Sequence, residues 1–222
     1  MKHPFYQKTK KEQRNVQIKV GLLALTIIII FSVIGFVANL YLLPALLFPI
    51  VITIIAPFLD VPVMVEKGKL TYQSLLLLTE NGQDGIIKLH GGTLLDYVYV
   101  IDSNWNAQQR KQFIIKEFLN GLINLIDEQK EKKDLDIKIK GTSYILNERT
   151  AEKLGFEVVK KDFLQQAILI FNYFNLLVTN SIGKGRLSFP VMKQIITIEA
   201  NISTLLAKEY EIRALKNKIE ND

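Results

Sequence analysis

From Val20 to Leu59 the chain runs for 40 residues without one charged side chain. A bilayer's hydrocarbon core takes about 20 apolar residues to cross. The stretch is therefore long enough for two crossings. Val20–Val37 reads VGLLALTIIIIFSVIGFV and Tyr41–Leu59 reads YLLPALLFPIVITIIAPFL, with only Ala38-Asn39-Leu40 between them. So short a connection sends the second segment back through the same bilayer. Pro44, Pro49 and Pro57 are expected to kink that second helix, which a membrane tolerates when the freed carbonyls find partners. A secretory signal peptide is the rival reading, but its apolar region is about 7–15 residues and ends at a cleavage site. Here the apolar stretch runs straight on into a second one.

Charge fixes the orientation. The 222-residue chain carries a net charge of +6. Residues 1–19 hold Lys2, Lys8, Lys10, Lys11, Arg14 and Lys19 against Glu12 alone, and the rest of the chain holds 22 basic and 21 acidic groups. A nucleic-acid-binding domain concentrates its excess charge on the folded part, so no nucleic-acid partner is expected. Basic flanks stay on the cytoplasmic side, which puts the N-terminus inside. Two crossings return the main domain to the same side. Lys8, Lys10, Lys11, Arg14 and Lys19 then face anionic lipid. The abundance of Ile, Lys and Asn suits a bacterium with an AT-rich genome, and hence an inner-membrane location.

Outside the apolar stretch, about 160 residues remain, enough for one compact core. Hydrophobic residues at 49% and charged residues at 23% exclude a disordered chain. Cysteine is absent and histidine occurs twice. That excludes a disulfide framework, a thiol nucleophile and a multi-His or Cys-based metal site. No metal or cofactor is expected. The division is a basic tail over 1–19, a transmembrane hairpin over 20–59, a cytoplasmic α/β (α+β) domain over 60–187 and a C-terminal helix over 188–222.

Within the domain, Asp60–Glu66 is expected to leave the bilayer. Leu75–Leu78, Gly85–His90 and Leu94–Ile101 (LLDYVYVI) have strand character, the last by its aromatic and β-branched content. Asn106 and Gln109 form a capping-box pattern, followed by Phe113, Ile114, Phe118, Leu122, Leu125 and Ile126 at helical spacing. Leu135, Ile137 and Ile139 alternate as a strand. Asn147 is placed to cap a short helix over Glu148–Leu154 that stops at Gly155, and Phe156–Val159 is a last short strand. Phe163–Gly183 is a third uncharged run with its polar groups mostly on one side. It reads as a helix buried in the domain, a helix on the membrane surface or a third crossing. Beyond Pro190, the residues Ile195, Ile198, Ile202, Leu205, Ile212 and Ile219 lie on one stripe. They fit either a coiled coil that joins copies or partner proteins or a helix packed on its own domain.

Strand, helix, strand and a short helix ending Glu152-Lys-Leu-Gly-Phe156 resemble the second half of the GNAT acyltransferase fold, over about residues 94–160. The resemblance implies acetyl-CoA chemistry. That family's glycine-rich pyrophosphate turn is missing. Its place reads Ser103-Asn-Trp-Asn-Ala-Gln-Gln-Arg110, without the glycines that let backbone N–H groups approach a phosphate. Ala151 stands where the family usually has a tyrosine acid.

Other constellations are sparse. His90 ends a strand and could serve as a base. Tyr144, Asn147 and Arg149 are the densest polar cluster after a strand and could hold a phosphate or carboxylate. Asp96 and Asp102 share a face of the strand between them and could bind a cation. Gly183-Lys-Gly-Arg186 could touch lipid phosphates. The expectation is a membrane-anchored domain that works by binding, as a scaffold, sensor or subunit of a membrane-associated system. A membrane-tethered GNAT-type acyltransferase and an oligomerising, membrane-permeabilising effector are the alternatives.

Overall fold

A computed structural model of the chain describes residues 3–82, 85–133, 136–143, 146–160 and 163–221. Two helices come first, α1 (Lys10–Val37) and α2 (Leu43–Glu66), packed against each other as an antiparallel hairpin. α2 carries Pro49, Pro57 and Pro62 in its interior. It runs on past Asp60, so Asp60–Glu66 is its last stretch and not a separate exit segment.

The rest is an α+β fold on a six-stranded mixed sheet. Its strands are β1 (Leu70–Ser74), β2 (Leu77–Asn81), β3 (Ile86–Gly91), β4 (Lys138–Ser143), β5 (Glu157–Val159) and β6 (Ile196–Asn201). The spatial order is β1-β2-β3-β4-β6-β5. β3 and β4 pair in parallel, with Leu89 opposite Gly141, and the remaining pairs are antiparallel. The parallel pair needs a long crossover, supplied by α3 (Leu94–Val100) and α4 (Ala107–Lys132).

Alternation along the strands sends Leu77, Ile87, Leu89, Ile139 and Ile198 to one face. There they meet Phe118, Leu122, Leu125 and Ile126 of α4, and Ile202, Leu205 and Ile212 from α8 (Ile202–Ala207) and α9 (Glu209–Asn221). Each such side chain contributes about 1.5–3 kcal/mol on full burial. α4 lies so close to β2 that a Cβ on Gly121 would sit 2.6 Å from Cβ of Leu77. Only glycine fits there.

Several expected elements hold. α4 begins at Asn106, whose side chain accepts from the N–H of Gln109 at 3.0 Å while Gln109 accepts in return at 2.9 Å. α5 (Glu148–Lys153) is capped by Asn147 and followed by Gly155 at φ 92°. β3, β4 and β5 lie close to their expected positions, although Leu135 and Tyr144 fall outside the described residues.

Others are corrected. Leu94–Val100 is a helix, not a strand, because Asp96 Oδ2 accepts from the backbone N–H of Thr93 at 2.6 Å and from its hydroxyl at 2.9 Å. That reciprocal cap outweighs β-branched propensity. The strand with which the GNAT resemblance began is therefore absent. Leu75 and Leu76 form the turn between β1 and β2 rather than a strand. Phe163–Gly183 is not one helix: it divides at Asn172 into α6 (Phe163–Phe171) and α7 (Tyr173–Lys184). The segment 188–222 is not one helix either. Its Ile196–Asn201 part is β6, held between β4 and β5. The stripe of Ile195, Ile198, Ile202, Leu205 and Ile212 is consumed in the protein's own core. No free coiled-coil seam is left by those residues.

Candidate membrane interface and the cluster at its base

α1 starts where Thr9 and Glu12 cap each other. Lys10 Nζ meets Glu66 at 3.0 Å, and Gln17 donates to the carbonyl of Phe58 at 3.3 Å. These contacts set the register of the hairpin at its base. At its far end the chain reverses through a Schellman motif. Leu40 N–H reaches the Gly35 carbonyl at 2.7 Å, and Asn39 N–H reaches that of Phe36 at 3.3 Å. Asn39 takes the left-handed conformation at φ 57°, which asparagine tolerates better than most residues. A side chain at Gly35 would meet the Leu40 carbonyl at 3.0 Å and the Pro44 ring at 3.1 Å.

Between base and tip the hairpin is bare. Leu22, Leu23, Leu25, Ile29, Ile30, Val33, Phe36 and Val37 of α1, and Leu46 and Phe48 of α2, are exposed. Single exposed aliphatics are ordinary, but a continuous sheath of them is not. The few hydroxyls are satisfied locally. Thr26, Ser32 and Thr53 donate to the carbonyls of Leu22, Ile28 and Pro49 on their own helices. Both helices are long and apolar enough to cross a membrane.

Prolines inside α2 free two carbonyls for which partners are seen. Pro57 has no N–H for the carbonyl of Thr53, and Pro62 has none for that of Phe58. Asn175 of α7 donates to the first at 2.5 Å, and Gln17 of α1 to the second. This is how broken helices are completed where water is scarce.

The N-terminal residues are not a free tail. Pro4–Gln7 forms a 3-10 turn that docks on the domain. Phe5 is fully buried against Val61, Leu70, Leu78 and Leu95, with Tyr6, Tyr72 and Tyr99 around it. Beside it lies a buried polar cluster. Asp96 Oδ1 accepts from the Tyr72 hydroxyl at 2.5 Å and lies 3.2 Å from Nε2 of His3. His3 Nδ1 accepts from the Phe5 N–H at 3.2 Å, which leaves the proton of a neutral ring on Nε2. Nε2 makes no well-directed hydrogen bond, so the His3–Asp96 approach is a close electrostatic contact. Burial pushes Tyr72 well above the ordinary tyrosine range, and the Asp96 carboxyl adds to it. Burial likewise pushes Tyr6 up to about 12, with Tyr72 partly opposing and Asp96 adding. This cluster joins the N-terminus, β1 and α3 in one place. Its sequence signal was the Thr93-x-x-Asp96 cap, and nothing in the sequence pointed to His3.

The basic residues of the first segment divide by height. Lys8 sits 5.9 Å over the Tyr99 ring. Lys10 is paired with Glu66, while Lys11, Arg14 and Lys19 are exposed on the first turns of α1, Lys19 nearest the apolar stretch.

The expected ligand residues are not gathered into a site. His90 Nε2 pairs with Glu80 at 3.0 Å on the open face of the sheet. Asn147 Oδ1 is occupied by the Thr150 N–H at 2.8 Å. Arg149 is exposed on α5, and Tyr144 lies outside the described residues. Parallel β3 and β4 put His90 and the loop before α5 at the same end of the sheet, but no hydrogen bond or ion pair joins them among the described residues. Asp96 is buried in the cluster above, and Asp102 caps the N–H of Asn104 at 2.8 Å. Among the described residues no group of three His, Asp or Glu could hold a metal ion. Two grooves lie along α9, one lined by Lys153, Lys208 and Tyr210 and the other by Ala107, Lys111 and Ile219. Both are shallow, and neither touches His90, Asn147, Arg149 or the buried cluster.

No protein-family model, curated protein or solved structure matches this chain.

Proposed function

We propose that this chain is a membrane-anchored binding protein. Its α1–α2 hairpin spans the cell's inner membrane twice, and its α+β domain sits on the cytoplasmic face as a scaffold, sensor or subunit of a membrane-associated system. The sheath of exposed aliphatic side chains along both hairpin helices carries the reading. In water it would cost roughly 25 cal/mol for every Å² left uncovered, and in a bilayer it costs nothing. The uncharged tip and the lysines at the base favour an inside location for the domain.

Binding is favoured over acyl transfer by what has become of the turn before α4. The Arg110 guanidinium donates to the carbonyls of Ser103, Trp105 and Ile182 at 2.7, 2.9 and 2.7 Å. It is committed to backbone and not directed at a phosphate. A partner protein would meet the domain on a surface other than the buried C-terminal stripe.

The chain has no cysteine, so single-cysteine variants report cleanly. Tyr41→Cys at the exposed hairpin tip should react with a membrane-impermeant maleimide added to intact cells. Glu152→Cys on α5 should react only after lysis, and both should sediment with membranes. Recovery in the soluble fraction, or labelling of Glu152→Cys in intact cells, would overturn the reading.

A further inference from the structure

α6 is an apolar helix with little protein over it. Phe163 is 86% exposed, Ile170 71% and Phe171 63%. Beyond α7, the segment Leu187–Val191 adds Leu187 at 72% and Phe189 at 63%. Contiguous exposed apolar surface marks an interaction site. Three observations say what covers this one.

The first is position. Asn175, four residues beyond Phe171, reaches the carbonyl of Thr53. Thr53 lies six residues inside the charge-free stretch from Leu59, or about 9 Å at 1.5 Å per residue. The other end of α7 is anchored in the soluble core. A Cβ at Gly183 would touch Ile114 and Tyr97, and Arg110 holds the Ile182 carbonyl. α7 therefore descends along α2, and α6 leaves from its lower end. The second is tethering. Gln165 accepts from Thr197 of β6 at 3.2 Å, and Asn180 donates to the Ser188 carbonyl at 2.7 Å. Both apolar segments are held to the fold rather than dangling, α6 by β6 and Leu187–Val191 by α7. The third is charge. From Phe163 to Ile198 there is no Asp or Glu, while Lys184, Arg186 and Lys193 are present. That balance suits anionic headgroups, at about 1 kcal/mol per charge.

We propose that α6 and Leu187–Val191 form a second lipid contact, embedded in the interfacial layer of the leaflet from which the hairpin emerges. Interfacial helices sink their apolar face about 5–10 Å into the headgroup and acyl boundary, and the Asn175–Thr53 contact puts the start of α7, from which α6 leaves, at a comparable depth. At that depth the neighbours of the hairpin are acyl chains, so the occupant is lipid and not a second copy. Hairpin and α6 together would hold the domain in one orientation on the membrane. The proposal rests on the hairpin reading above.

The test uses the full chain in vesicles of phosphatidylcholine and phosphatidylglycerol. Ile170→Cys, Phe189→Cys and Ile29→Cys are each labelled with an environment-sensitive fluorophore. Lipids carrying a nitroxide quencher near the headgroup or near the chain end are compared. Ile29 reports the hairpin and should be quenched most by the deep quencher. Ile170 and Phe189 should be shifted to the blue and quenched most by the shallow one. If Ile29 is quenched but Ile170 and Phe189 stay open to aqueous iodide, the second contact is wrong and the hairpin stands. A blue shift at Ile170 without lipid quenching means burial against protein and also overturns it. Deep quenching at Ile170 means a third crossing and overturns it as well. If Ile29 itself is not quenched, both readings fall.

Discussion

Asn175 donates its side-chain amide to the carbonyl of Thr53, 2.5 Å away, which is the acceptor that Pro57 leaves without a partner. An amide from the domain thus completes a helix of the apolar hairpin. Asn175→Leu should leave that carbonyl bare, at a cost of about 1–3 kcal/mol for a buried unpaired group. Pro57→Ala restores a backbone N–H at the same place. The two changes should therefore not add. The double variant Pro57→Ala, Asn175→Leu is expected to melt above Asn175→Leu alone. A double-mutant cycle read by thermal unfolding in detergent checks this, and strict additivity would mean that the contact carries no energy.

Asp96 is the hub of the second junction. It accepts from Tyr72 and twice from Thr93, and it lies against His3. Asp96→Ala should strand those part-buried donors and cost about 2 kcal/mol. It should also loosen the docked N-terminal turn, since Phe5 packs beside the cluster. Limited trypsin digestion gives the local readout. Cleavage at Lys8 should quicken in Asp96→Ala and in His3→Ala under conditions where the core of the domain stays resistant. An unchanged rate at Lys8 would show that Phe5 alone holds the turn.

Legibility followed the reach of the deciding interactions. The hairpin helices and α4 are local events, set by a charge-free run and by the Asn106–Gln109 cap, and both could be read from the residues. The segment Leu94–Val100 carried two local signals that disagree. Its β-branched and aromatic residues favour a strand, while Thr93 and Asp96 cap a helix, and the cap wins because Asp96 is also held by Tyr72 and His3. Ile195, Ile198 and Ile202 fit a helical stripe, yet Ile196–Asn201 pairs with β4 along its length and with β5 over Thr197–Glu199. That choice is made by strands far away in sequence. His3 had no signal because its partners lie on β1 and α3. His90, Tyr144, Asn147 and Arg149 carry ligand chemistry at the ends of strands, yet the structure uses Asn147 as a cap and His90 as a surface pair.

The partly buried tyrosines Tyr6 and Tyr72 give an alkaline signature. In the unfolded chain a tyrosine ionises near pH 10. In the folded chain burial raises Tyr6 to about 12, and Tyr72 is raised further. A folded value above the unfolded one means stabilisation that is complete below about pH 10 and is lost as pH rises towards 12 and beyond. Stability should therefore fall on the alkaline side from about pH 10. Tyr72→Phe should blunt that fall, although it also removes a hydrogen bond to Asp96. Unfolding melts across this range, with tyrosinate absorbance followed in parallel, measure it. The chain has eight tyrosines, so the ring is read by difference: less tyrosinate at pH 10 in folded Tyr72→Phe than in the folded unmodified chain would contradict the shielding of Tyr72.

Arg110 separates a structural turn from a phosphate site. Its guanidinium ties the carbonyls of Ser103 and Trp105, ahead of α4, to that of Ile182 near the end of α7. Three carbonyls held by one planar fork are not matched by an ammonium. Arg110→Lys and Arg110→Ala should both lower the melting temperature of the full chain in detergent, Arg110→Ala by an amount corresponding to roughly 1.5–3 kcal/mol. Coenzyme A should not change the stability of the unmodified chain. A ligand at 100 times its Kd would add about 2.7 kcal/mol, so binding would be plain in the same melt. A saturable shift with coenzyme A that Arg110→Ala abolishes would reverse this assignment. It would mean that the guanidinium exchanges its carbonyls for a pyrophosphate, and that the domain binds the acyl-transfer cofactor.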